Sequence, residues 1–243
     1  MAELDRPDLQ AAQLAVRILR QPDARSCGPT CLHSVYRYYG TEHDLDTLIG
    51  AIEQLESGGT LDVFLACDAL RRGFEATIYT YNLQVFDPTW FAHKDVDMIA
   101  KLEAQIREKR DRRLRVASQG YQEFLRLGGR IRFTDLTRRL LRSILNRGIP
   151  IITGLSATYL YRAMREYGPD DADDDVRGAP AGHFVVLSGY ERRHRTILVS
   201  DPLDPNPLGG EQNYWIHIDR VIGAILLGVL THDANLLVIQ PRR

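Results

Sequence analysis

The chain has 243 residues, 44% of them hydrophobic and 26% charged, with a formal net charge of −1. That length suits one large domain with a real core, and the near-neutral charge argues against a broad nucleic-acid footprint. Three cysteines are too few and too oddly numbered for a disulfide framework, the first ten residues lack the basic and apolar regions of a signal peptide, and the longest apolar run, Val221 to Leu230, is about half of the ~20 residues a spanning helix needs. The expectation is a cytoplasmic protein without a membrane partner.

Residues 8–20 read as a short helix or strand leading into a turn at Gln21-Pro22-Asp23. Ser26-Cys27-Gly28-Pro29 opens a segment whose apolar residues, Cys31, Leu32, Val35, Tyr36 and Tyr39, share one helical face, and Gly40 stops it. Pro29 suits a first helical turn, where a missing N–H costs nothing. Cys27 is therefore expected at a helix N-terminus. A second helix is expected over Leu45 to Gln54, and a third over Leu61 to Arg72 with Thr60 as its cap. Glu75 to Tyr81 reads as a strand.

The stretch 82–133 is charge-rich and reads as mostly helical. Its Lys101 to Arg115 portion interleaves acidic and basic residues, as a solvated, ion-paired face does. Thr134 or Asp135 is expected to cap a helix from Leu136 to Asn146, and Ile149 to Leu155 reads as a buried strand. Residues 168–182 form an acidic loop, either simply solvated or a lid favouring basic substrates. His183 to Tyr190, Thr196 to Ser200 and Asn235 to Gln240 read as strands. Trp215 to Leu230 reads as a helix or a strand–helix pair. The order, helices first and then a mainly antiparallel sheet, is an α+β arrangement in a single domain.

A thiol performs acyl transfer as the thiolate, and a helix N-terminus lowers its pKa from about 8.5. Cys27 has that position, and Gly28 after it is expected to keep the sulfur open to substrate. A histidine is the usual proton shuttle. His183 stands at the mouth of an apolar strand, and Asp201 ends the next one. In an antiparallel hairpin the start of one strand lies beside the end of the next, which brings His183 and Asp201 together. Gln21, just before Cys27, can supply a side-chain amide to an oxyanion.

Gln21, Ser26-Cys27-Gly28-Pro29-Thr30-Cys31, Tyr38-Tyr39-Gly40, His183-Phe184-Val185-Val186-Leu187 and Asp201-Pro202 resemble, in that order, the motifs of the bacteriocin-processing double-glycine leader peptidases. The resemblance spans roughly residues 15–80 and 140–205. It implies a papain-like cysteine peptidase fold, N-terminal helices packed on a mainly antiparallel sheet, and no metal or other cofactor. It also implies Cys27 as nucleophile, His183 as base, Asp201 as its partner and Gln21 in the oxyanion hole. The chain departs from the pattern by a helical insertion at about 82–133 and a C-terminal extension after about 205.

The expected substrate is a peptide or amide, with no nucleic acid involved. An acyltransferase or transpeptidase would use the same residues, and a non-catalytic peptide-binding module could retain the fold. Cys31, one turn after Cys27, is either core or a rival nucleophile, and Cys67 reads as core. Tyr159 and Tyr161 either line the cleft or simply pack. The histidines at 33, 43, 93, 194, 217 and 232 lack the spacing of a metal site.

Overall fold

The computed structural model describes residues 10–56, 58–93, 95–231 and 234–242. A short strand β1 (Ala11–Gln13) leads to helix α1 (Cys27–Tyr38). Cys31, Leu32, Val35 and Tyr36, spaced on one helical face, are all fully buried. Gly40, at φ +78°, follows the C-terminal end, where a side chain would be strained. Helix α2 (Leu45–Ala51) starts on Asp44, whose carboxylate accepts from Thr47 N–H. It is shorter than expected because Ile52 turns into extended backbone and is buried.

The cap position of helix α3 (Asp62–Arg71) falls on Leu61 and not on Thr60, and no side chain caps it. The Thr60 hydroxyl instead donates to the Glu53 carbonyl at 2.7 Å. Strand β2 (Phe74–Thr80) follows.

Between β2 and the later strands come a 3₁₀ turn (Pro88–Phe91) and two helices, α4 (Met98–Glu108) and α5 (Arg112–Arg126). Asp111 accepts from Leu114 N–H and starts α5, so the charged stretch 101–115 breaks into two helices. Its solvated side carries ion pairs, Arg71 with Glu123, Arg112 with Glu56 and Arg126 with Glu103. The opposite side places Leu102, Leu114, Ala117, Tyr121 and Phe124 in the core.

Strand β3 (Arg130–Arg132) follows, then α6 (Arg138–Leu145), capped by Thr137 rather than Thr134 or Asp135. The remaining elements are β4 (Ile151–Ser156), α7 (Ala157–Tyr161), the short pair β5 (Glu166–Tyr167) and β6 (Ala172–Asp173), β7 (Gly182–Glu191), β8 (Thr196–Ser200), β9 (Asn213–His217), α8 (Ile218–Leu227) and β10 (Asn235–Pro241). The segment 215–230 is thus a strand–helix pair.

Among the described residues the main sheet runs β3-β2-β10-β4-β7-β8-β9, with β1 added beside β7. Only the β2–β3 pairing is parallel. Alternation sorts the strands' side chains to two faces. Ile152, Phe184, Val186 and Leu237 pack with α1, α3 and α5. Ile151, Leu155, Val185, Leu187, Val199 and Leu236 pack with α6, α7 and α8. The α+β arrangement expected from the sequence holds, with a second helical layer on the far face.

Candidate active site

Cys27 is the first residue of α1, where the leading N–H groups have no partner within the helix. Ser26, at the cap position, makes no side-chain bond to the helix. It closes the preceding loop instead, with its hydroxyl donating to the Asp23 carbonyl at 3.1 Å. Gly28 follows Cys27 in the first turn of α1. It is buried, and a Cβ built there would meet Thr60 Cγ2 at 2.7 Å and Phe184 Cδ2 at 3.3 Å. The glycine lets the start of α1 press against β7, which brings Cys27 to His183.

His183 is the second residue of β7, paired across the sheet with Leu155. Asp201 directly follows β8. The β7–β8 hairpin brings them together, with His183 Nε2 2.8 Å from Asp201 Oδ1. The other ring nitrogen is Nδ1, and the Cys27 thiol lies near enough that it and His183 each shift the other's titration. Cys27 is 8% exposed, His183 7% and Asp201 0%.

The electrostatics follow from these contacts. Burial pushes the Cys27 thiol up, but the His183 hydrogen bond and charge, with backbone bonds from Phe184 and Gly28, bring it below its ordinary value. Burial disfavours a charged His183, yet Asp201 and Cys27 outweigh it and push the imidazole up to about 10. Burial likewise raises Asp201, but hydrogen bonds and charge from His183, together with Tyr161 and Tyr214, hold it below the usual carboxylate range.

Cys31 is fully buried, and its thiol donates to the Phe184 carbonyl at 3.3 Å. Burial and the neighbouring Cys27 push it well above the ordinary thiol range. Cys67 bonds weakly to the Gly120 carbonyl at 3.8 Å, and burial pushes it up to about 12. Neither resembles an activated nucleophile.

Gln21 is buried on the loop before α1, and its backbone N–H donates to the Pro202 carbonyl at 2.9 Å. That bond ties the loop to the turn holding Asp201. One hydrogen of the Gln21 amide goes to the Asp23 carbonyl at 2.8 Å, which also fixes the orientation of the amide. The other hydrogen remains for a further acceptor.

The acidic stretch is not a bare solvated loop. Strands β5 and β6 pair, and Asp174 accepts from the backbone N–H groups of Val176 and Arg177 and from the Arg177 side chain. Arg177 lies over the Tyr167 ring at 4.4 Å. Burial and the charges of Asp171 and Asp173 raise the Glu166 carboxyl, and the charge of His183 opposes them.

Sequence reasoning left Tyr161 as a cleft or packing residue, did not single out Tyr214, and did not foresee that both surround Asp201. Tyr161 on α7 and Tyr214 on β9 each donate a hydroxyl to Asp201 Oδ2 at 2.7 Å. The hairpin register pairs Val199 with Tyr214 and so puts Tyr214 on the face of Asp201. That signal was available once β9 was assigned. Nothing in the spacing points Tyr161 to Asp201. Tyr159 is exposed and packs over Gly223. Among the described residues no group of three or more His, Cys, Asp or Glu is placed to hold a metal ion, and no helix is long and apolar enough to cross a membrane. His232 lies outside the described residues.

The Peptidase_C39 like family model matches residues 115–221, a stretch that contains His183 and Asp201 and leaves out Cys27 and Gln21. No curated protein matches the chain. Among solved structures the chain is similar to a protein assigned as a C39-like peptidase from Bacillus anthracis, with 14% identity, a TM-score of 0.53, and 96% of this chain and 99% of that one covered. It is also similar to the peptidase domain of Streptococcus ComA, a bifunctional ABC transporter involved in quorum sensing (15% identity, TM-score 0.42, 93% and 99% covered). A third is xylellain, a cysteine protease from Xylella fastidiosa (14% identity, TM-score 0.45, 97% and 87% covered). The first of these shows the shared fold.

Proposed function

We propose that the chain, whose residues 115–221 match the Peptidase_C39 like family model and whose fold is that of a C39-like peptidase, is a thiol-dependent hydrolase acting on a peptide or amide bond. The observation that carries the reading is the buried chain of contacts from Cys27 through His183 to Asp201. The Cys27 thiolate attacks the substrate carbonyl carbon. The Cys27 backbone N–H and the second amide hydrogen of Gln21 stabilise the oxyanion that forms. The imidazolium of His183 gives its proton to the departing amine, the C–N bond breaks, and an acyl-thioester remains on Cys27. Neutral His183 then takes a proton from water as the water attacks. The thioester collapses to a carboxylic acid product and the Cys27 thiolate, and His183 is again the imidazolium. Asp201 holds Nε2 as the donor and balances the imidazolium charge. The three cysteines are free thiols, which suits a reducing, cytoplasmic setting.

Turnover of a peptide library by the full chain tests this reading. Cys27→Ala and His183→Ala are each expected to lower cleavage at least about a hundredfold, while Cys67→Ala leaves it unchanged. Cleavage that survives Cys27→Ala would refute the assignment. Adding a primary amine separates hydrolysis from acyl transfer by product mass.

A further inference from the structure

Asp201 is fully buried, and a carboxylate offers about four acceptor positions. All four are met by protein donors. Oδ1 receives His183 Nε2 at 2.8 Å and the Leu203 N–H at 2.9 Å. Oδ2 receives the hydroxyls of Tyr161 and Tyr214, both at 2.7 Å. The two tyrosines arrive from separate elements, α7 on one side and β9 on the other. The Tyr161 ring also lies 6.1 Å from the His183 ring, tilted by 49°. Their phenols are held well above the ordinary range, by burial first and then by the Asp201 charge, so both hydroxyls stay protonated donors.

We infer that Tyr161 and Tyr214 are positioning residues for the reacting centre: by saturating Oδ2 they fix the Asp201 carboxylate so that Oδ1 alone addresses His183, and they keep that buried carboxylate charged. Both tyrosines act through Asp201 and His183. A carboxylate held only at Oδ1 could turn about its Cβ–Cγ bond and present either oxygen, which would let the imidazole tilt. Hydrogen bonds to a charged group are worth more than neutral ones, and water cannot replace a lost donor at a fully buried oxygen. Removing a hydroxyl therefore weakens the charge that sustains the imidazolium, and through it the thiolate. Tyr214 lies on the segment after residue 205, so this segment completes the site.

The inference rests on the thiol-hydrolase reading. Its test reads the pH dependence of iodoacetamide alkylation at Cys27, with the modified residue identified by mass spectrometry. The variants are Tyr161→Phe, Tyr214→Phe and the double change. Each keeps its ring and loses one hydroxyl. The apparent Cys27 pKa is expected to rise by about half a unit or more in each single variant, and by more in the double.

Tyr36→Phe is the structural control. Its hydroxyl donates to another buried carboxylate, Asp68, at 2.8 Å, so it loses comparable stability without moving the Cys27 profile. If Tyr161→Phe and Tyr214→Phe behave like Tyr36→Phe while His183→Ala raises the Cys27 pKa, the positioning role is overturned and the ion-pair reading stands. If His183→Ala also leaves the pKa unchanged, the ion-pair reading itself falls. Should the double variant fail to fold, shown by rapid labelling of buried Cys31 and Cys67, the single variants decide.

Discussion

Gly28→Ala tests the close approach that brings Cys27 to His183. Two effects oppose each other. Alanine is the better helix former, by up to about 1 kcal/mol inside a helix and less in the first turn. Against that, the new Cβ would stand 2.7 Å from Thr60 Cγ2, 3.3 Å from Phe184 Cδ2 and 3.4 Å from Leu65 Cδ1. The first distance forces a shift. Thr60 cannot simply swing away, because its hydroxyl is fixed on the Glu53 carbonyl at 2.7 Å. Overpacking of this kind costs about 1–3 kcal/mol, so a net loss of about 1–2 kcal/mol is expected. Urea unfolding measures it.

Thr60→Ser removes the offending methyl and keeps the hydroxyl. In the double variant the loss is expected to be smaller than the sum of the single losses by about 1 kcal/mol. Alkylation of Cys27 should slow in Gly28→Ala and recover in the double variant, because the same shift separates α1 from β7. A Gly28→Ala protein at least as stable as the parent, or a Thr60→Ser partner that gives no relief, would refute the packing argument.

Two further expectations concern titration. At pH values below about 8.5 iodoacetamide should modify Cys27 and spare Cys31 and Cys67, whose thiols are raised by burial. Comparable labelling of all three in the folded protein would contradict the geometry. Folding stability should also depend on pH through His183, whose imidazole is raised from an ordinary 6.5 to about 10. The proton is held more tightly in the folded chain. The stabilisation is therefore fully present below about pH 6.5 and is lost as pH rises through 10. The gap in urea midpoint between the parent and His183→Gln should narrow over that window, and a gap that widened with pH would reverse the sign of the argument.

Much of the architecture was legible because it rests on local rules. The apolar spacing from Cys31 to Tyr36 required a helix, and Cys27 could then only lie at its start. The run from His183 to Tyr190 and that from Thr196 to Ser200 required a hairpin, and the meeting of His183 with Asp201 followed from antiparallel pairing alone. Element ends were less legible. Thr60 and Thr134 are plausible caps by residue type, but Thr60 is engaged by Glu53, and it is Thr137 whose side chain accepts from Leu140 N–H at the start of α6. Likewise, Asp111 breaks a charged stretch whose composition reads as one helical face.

What only the tertiary structure decided has one physical cause: contacts between residues distant in sequence carry no periodic signal. Tyr161 reaches Asp201 because α7 packs beneath β4 and β7, and no spacing encodes that. The role of Gly28 depends on Thr60 and Phe184 standing where a Cβ would go. Cys27 and Cys31, one helical turn apart, differ in what each thiol meets. Cys27 meets an imidazole at the helix's first residue, and Cys31 meets a carbonyl inside the core. By itself the sequence determined which residue types could do the chemistry and on which elements they stand. The fold decided which of them meet, because burial and hydrogen bonding set a group's charge only once its neighbours are in place.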